Sequence, residues 1–488
     1  MKTYLVLSVS CLLFANNVLN ANRLVDAVEK NESFEIQAFL TKDVDVNQAQ
    51  IDGMTALHWA AHHNDTALAL SLLERGANPS AQNRYGVTPI YLACLNGNSN
   101  LTRSLLDAGA DPNATINGDE TALMTAARTG NLATVKALID AGAEIESTER
   151  KGQTALMWAA HEGHVEVAEL LLENGADFLT TLDSGFTPFY FAIREGHTEV
   201  VDLLIAAGAN VNGAIYYVGK SNKGPLRGSS PLMLAVENGH YDLAVHLLDE
   251  GANPNDMRTG FSILHALTWI RKPDIGESAS GAPPPKGSGK RNSEQFIREL
   301  VARGADVNAQ ITRGRRAGGA RFSDIGATPF FMASDRADLD YMKLLLELGA
   351  DPFIKNEDNC TALLVAAGIG SHAPEEEAGS EQECRDAVEF LLGLGLDINA
   401  VDKNGQTAMH GAAFKNAPAV AWFLHENGAD VKIWNTTNKR KRTPLLIAEG
   451  YRPGNFKPSF ETIEAIEAIM LDAGVEIPTG PKPNQTNY

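Results

Sequence analysis

The sequence predicts an all-α repeat solenoid, built by stacking short helix pairs. Three observations carry this. A capping hydroxyl recurs at a near-fixed interval, an Ala- and Leu-rich run with helical periodicity follows it, and glycines punctuate the runs. Residues 150–182, RKGQTALMWAAHEGHVEVAELLLENGADFLTTL, show one unit whole. Thr154 suits an N-cap, where its hydroxyl accepts a bond from an otherwise orphaned amide. Leu156, Ala159 and Ala160 lie on one face of a helix running to about His161. Gly163 and His164 break that helix, and Val167, Leu170 and Leu171 repeat the spacing in a second. Gly175 closes it, since helices commonly end on a residue in the left-handed region that glycine tolerates best. Two helices this short cannot bury their apolar faces alone, so copies must flank them.

The copies are present. Thr55, Thr88, Thr121, Thr154 and Thr187 stand at 33-residue intervals, and Ser230, Ser262, Thr328, Thr361, Thr407 and Thr443 continue the series less evenly. Pro89, Pro188, Pro231, Pro329 and Pro444 each follow such a cap. Proline suits the first helical position, where its fixed φ helps and its missing N–H is not needed. The pattern resembles the ankyrin repeat family in TALHWAA at 55–61, GHVEV at 163–167 and GADVN at 304–308. The resemblance covers almost the whole chain after residue 22. It implies about a dozen stacked helix pairs, joined by β-hairpin fingers at the end opposite the turn within each pair.

Length alone would suggest several compact domains, but repeats stacked along one axis remove that inference. The formal charge is −20, with 61 acidic against 41 basic residues. That balance argues against wholesale nucleic-acid binding, which usually shows a basic excess.

Residues 1–21, MKTYLVLSVSCLLFANNVLNA, place Lys2 before an apolar run ending at Phe14, then small and polar residues. This is the layout of a secretory signal peptide, too short to span a bilayer. The mature chain is expected to be exported, periplasmic or extracellular, with no transmembrane segment. Residues 22–50 read as an atypical N-terminal cap, 443–477 as a C-terminal cap and 478–488 as a disordered tail. Insertions interrupt the rhythm at 213–228, 270–292, 309–324, 370–382 and 433–442. By the family's architecture, 270–292 and 370–382 fall in helix–helix turns and the others in fingers. The finger insertions are basic: Lys220, Lys223 and Arg227, then Arg313, Arg315, Arg316 and Arg321, then Lys439, Arg440, Lys441 and Arg442.

The search for chemistry is negative. Past the signal peptide three cysteines remain, without C-x-x-C or paired Cys/His spacing. Cys94 reads as a small core residue, and Cys360 and Cys384 fall at opposite ends of their repeat and should not bridge. His161-Glu162-Gly163-His164 is one residue short of a zinc-protease motif, and Gly163 ends the helix anyway. Gly219-Lys220-Ser221 lacks both the first glycine and the strand-to-helix setting of a phosphate loop. The reading therefore calls for no enzyme, no cofactor and no metal. In the family, His58, His265 and His410 brace the repeat, and His164, His197 and His240 hold the turn.

What remains is recognition. Stacked repeats present an extended binding surface. In the resembling family, partners contact the finger tips and the two variable residues after Ala-Ala in the first helix. Carried over, the tips give Arg84, Tyr85, Arg150, Lys151 and Phe186; the helices give Arg128, His161 and Arg194, among others. The expected function is a non-enzymatic protein-binding scaffold, monomeric and acting outside the cytoplasm, whose partner carries an acidic surface. The alternative is a binder of acidic glycan or an anionic surface through the basic finger insertions.

Overall fold

The computed structural model describes residues 24–217, 227–275, 285–314, 322–452, 457–479 and 482. The expected signal peptide, the basic residues Lys220, Lys223, Arg315, Arg316 and Arg321, and most of the expected tail lie outside them. The chain divides into two compact units, 1–210 with 215–224 and 211–214 with 225–488.

In the first unit the helix pairs are 24–29 with Ser33–Leu40, Ala56–His62 with Thr66–Glu74, Pro89–Leu95 with Ser99–Asp107, Ala122–Thr129 with Leu132–Asp140, Ala155–Glu162 with Val165–Glu173, and Pro188–Glu195 with Thr198–Ala206. All the Thr and Ser residues picked out by sequence are N-caps in extended conformation, and most accept a bond from the amide three residues on. The core repeats with the sequence. Leu72, Leu105, Leu138, Leu171 and Leu204, spaced 33 apart, are all fully buried, as are Ala60, Ala93, Ala126, Ala159 and Ala192. The alanines let neighbouring first helices approach closely; the leucines fill the space behind them. One expected core residue differs. Leu170 is only half-buried, and Ala168 takes its place on the inward face beside Val167 and Leu171.

Side chains rivet one repeat to the next. His58 Nδ1 accepts from the Thr55 amide at 3.2 Å, while its Nε2 lies 3.0 Å from the Val87 carbonyl of the following repeat. His197 Nε2 lies 2.9 Å from the His161 carbonyl, and its ring crosses Gly163. Gly163 sits at φ +80°, and a Cβ there would come within 2.5 Å of that ring. Only glycine fits. The Asn of the GADVN-like stretch forms a third rivet that sequence reading did not supply. Asn47 donates to the Gly76 carbonyl at 2.8 Å and accepts from the Asn78 amide; Asn255 and Asn308 do the same in the second unit.

The second unit repeats the plan, with pairs Pro231–Glu237 and Tyr241–Asp249, Ile263–Arg271 and Ser293–Ala302, Pro329–Asp335 and Leu339–Glu347, Ala362–Ala366 and Glu381–Gly393, Ala408–Lys415 and Pro418–Glu426, Pro444–Ala448 and Phe460–Asp472. Its turn insertions are not independent loops. The Ile275 amide donates to the Glu376 carbonyl at 2.7 Å, and Asp274 accepts from Arg336 and from the Ala378 amide. The stack of pairs in each unit, with almost no strand, fits an all-α repeat solenoid.

The expected β-hairpin fingers take a smaller form. Each is a tight turn, as where Asn83 and Val87, or Glu149 and Gln153, close on one another. One bond then joins neighbouring turns: Arg84 N to Asp52 O at 2.8 Å, Arg150 N to Gly118 O at 2.9 Å. Among the described residues the only β pairing is two isolated bridges, Ala49 with Thr55 and Thr115 with Thr121. Five-residue turns are too short to support a ladder.

Candidate binding face of the first unit

The first helices and turns of the first unit expose one recurring position. Arg128, His161 and Arg194 all stand seven residues after the capping Thr, so the repeat sets them in a column. Four residues after the cap come Trp59, Trp158 and Phe191, giving the column an aromatic floor. The Arg128 guanidinium lies 5.2 Å from the centre of the Trp158 ring and pairs with Glu120 at 3.3 Å. Arg194 lies over Phe191 at 5.1 Å and Phe186 at 5.3 Å, and its Nε donates to Glu195 at 2.7 Å. His161 sits between them, its Nδ1 3.3 Å from both Glu195 and Arg194, its ring edge-on to Trp158 and Phe191. Cations stacked on aromatic faces are held in place yet keep donors for a partner.

At the turns, Arg84 folds over Tyr85 at 4.8 Å and donates to its hydroxyl, and Tyr85 is half-exposed. Arg150 and Lys151 are exposed, with no carboxylate partner among the described residues. Phe186, expected at a finger tip, is instead the residue that closes its turn, its carbonyl accepting from the Leu182 amide. Its side chain therefore turns inward, against Tyr190 and Phe191, and is 5% exposed. It is the floor beneath Arg194, not a contact. Sequence reading named the arginines and missed their holders Glu120, Trp158 and Phe191. The signal was there, since Trp158 lies 99 residues after Trp59 at the same repeat position.

Reactive groups sit elsewhere and are withdrawn from solvent. Cys94, Cys360 and Cys384 are buried free thiols, and burial pushes Cys94 up to about 12. Burial also lowers His265 and His410 to about 4, keeping both neutral. Among the described residues no three His, Cys, Asp or Glu are gathered as a metal site would need, and no helix is long and apolar enough to cross a membrane.

Family comparison agrees with this architecture. Models described as ankyrin repeats match residues 24–116, 114–182 and 179–258, and again 325–357 and 378–424. The chain belongs to the ankyrin repeat family. Among curated proteins it is similar to ankyrin repeat and SOCS box protein 16 of Mus musculus, 31% identical over 270 residues, 51% of this chain and 52% of that protein. It is 25% identical over 243 residues to the E3 ubiquitin-protein ligase KEG of Arabidopsis thaliana, covering 43% of this chain and 13% of that protein. An ankyrin repeat protein of Rickettsia bellii is 33% identical over 128 residues, 26% of this chain and 62% of that protein. The chain thus spans about half the length of the mouse relative. Proteins built from ankyrin repeats are in general non-enzymatic binding scaffolds, and the repeats support a protein–protein interaction scaffold here.

Proposed function

We propose that the chain is a non-enzymatic scaffold that docks one protein partner on the finger-side face of its first unit. The contact centres on Arg128, Trp158, His161 and Arg194, with Arg84, Tyr85, Arg150 and Lys151 at the rim. One observation carries this reading: four successive repeats present cations and aromatics at positions that no packing role requires. Arg and aromatic residues are the types enriched at binding hot spots, and a charged rim around an aromatic centre is how such contacts are commonly built. Arg150 and Lys151 favour a partner whose facing rim is acidic, steering its approach more than its final affinity. Action outside the cytoplasm belongs to the same proposal and rests on the leader-like residues 1–21.

The second reading, binding of an acidic polymer, has its own support. Lys439, Arg440 and Lys441 are exposed on one turn closed by Asn438, with no carboxylate partner among the described residues. A pull-down from the native source with Arg128→Ala/Arg150→Ala/Arg194→Ala and with Lys439→Ala/Arg440→Ala/Lys441→Ala separates the two. Loss of the partner in the first variant alone supports the docking face. Loss in the second alone moves the site to the basic turn, where binding falls steeply with ionic strength.

A further inference from the structure

Trp158 carries a donor without an acceptor. Its Nε1–H is buried and meets no hydrogen-bond partner, although the ring itself is partly exposed on the binding face. A buried donor left unpaired is costly and rare in native proteins. The same repeat position in Trp59 is satisfied, because its Nε1 donates to Gln50 Oε1 at 2.9 Å. Gln50 stands nine residues before Trp59, and the residue nine before Trp158 is Glu149. Glu149 has turned away: its Oε1 accepts from the Lys151 amide at 2.8 Å and the Gln153 amide at 3.2 Å of its own turn. Trp434 Nε1 also lacks an acceptor, but its ring is 2% exposed and offers no approach.

The two arginines of the column beside Trp158 are already paired, Arg128 with Glu120 and Arg194 with Glu195. The centre of the face therefore has little call for a further carboxylate, while the indole still needs an oxygen. Arg128 lies over the ring through one cation–π contact and one partly exposed ion pair, each of small net worth, so it can move aside.

We infer that the Trp158 indole is the anchor of the docking face, and that the partner protein reaches it with a segment bearing an uncharged side-chain amide. A glutamine or asparagine oxygen would supply to Trp158 what Gln50 supplies to Trp59. The inference rests on the docking face proposed above and adds the chemistry of its occupant. The acidic rim of the partner meets Arg150 and Lys151; its centre is neutral.

The test uses the full chain labelled with ¹⁵N at the tryptophan indoles and three capped hexapeptides, alternating Ala-Gln, Ala-Glu and Ala-Leu. The Ala-Gln peptide is expected to shift the Trp158 indole proton and leave that of Trp59, already bonded, in place. Raising salt from about 50 to 500 mM should not reverse the shift, because no net charge is involved. Trp158→Phe keeps a smaller aromatic ring and removes the donor. In the free protein this relieves an unpaired donor, so the thermal midpoint should not fall, while partner capture should weaken by about tenfold, the worth of one hydrogen bond. An unmoved Trp158 resonance overturns the inference. So does a shift given equally by Ala-Leu, or by Ala-Glu alone and abolished by salt. Retention of partner by the triple arginine variant overturns the docking face instead, so the two failures are told apart.

Discussion

The buried histidines make acid stability a direct reading of the repeat architecture. In the second unit, His265 Nδ1 accepts from the Ser262 amide at 3.2 Å, and its Nε2 lies 3.0 Å from the Ala327 carbonyl. His410 makes the same pair with the Thr407 amide and the Arg442 carbonyl. Each ring is held neutral, Nε2–H donating and Nδ1 accepting. A second proton would have to enter at Nδ1, against an amide N–H. Burial lowers both to about 4, against an ordinary value of 6.5. Between those values the unfolded chain binds more protons than the folded one, so stability rises with pH there and falls as pH drops from 6.5 towards 4. Between pH 6.5 and 5, each histidine costs about 1.5 kcal/mol and the two together about 3 kcal/mol. Glu237 of the same unit, which burial raises to about 7, works the other way as pH falls and offsets about one histidine, leaving a net loss of about 1.5 kcal/mol.

The assay is the urea midpoint of the second unit's transition at pH 7.5, 6.5, 5.5 and 5, for the wild type and for His265→Gln/His410→Gln. Glutamine offers a donor and an acceptor but does not titrate. The variant is expected to be weaker at pH 7.5, where its geometry is imperfect, and to gain stability towards pH 5 as Glu237 protonates. A wild-type midpoint that is itself flat from pH 6.5 to 5, or a variant that falls equally steeply, would refute the reasoning.

Two further outcomes follow from the packing. Leu171→Ala removes a fully buried side chain and should cost about 2–5 kcal/mol in chemical denaturation of the first unit, through lost transfer energy and a cavity; a cost near zero would count against the stacked core. Glu377→Gln should loosen the turn insertion at 370–382 by about 1–3 kcal/mol, seen as faster amide exchange at His372 and Ala373. Glu377 accepts from both of those amides and from Ser371 Oγ; burial pushes its carboxyl up, but these bonds and Lys415 outweigh it and hold the carboxyl below its ordinary value. Glu375 and Glu376, both exposed, are the better inert control for the binding experiments.

The sequence alone determined the unit and its repetition. A capping hydroxyl, proline at the first helical position, alanine at the close-approach positions and glycine at the left-handed exits are local requirements. Each is met within a few residues of itself, so spacing exposes it. The structural histidines were legible for the same reason. Their function, bracing one repeat against the next, recurs with the period. The arginine column was legible as a set of positions freed from packing.

Only the tertiary structure decided what those positions face. Whether Arg128 is a free cation or one held by Glu120 over Trp158 depends on residues in different turns and repeats, and periodicity does not encode rotamers. Phe186 shows the limit from the other side: it stands directly before the capping Thr187, where the turn closes on the helix, and its side chain points inward. Arg452, in the turn after Pro444–Ala448, is 2% exposed and donates to the carbonyls of Ala413 and Phe414 at the end of the helix Ala408–Lys415. The unmet N–H of Trp158 is the clearest case. Trp59 and Trp158 occupy one repeat position in nearly identical local sequence, and what separates them is where one side chain, Glu149, spends its hydrogen-bonding capacity.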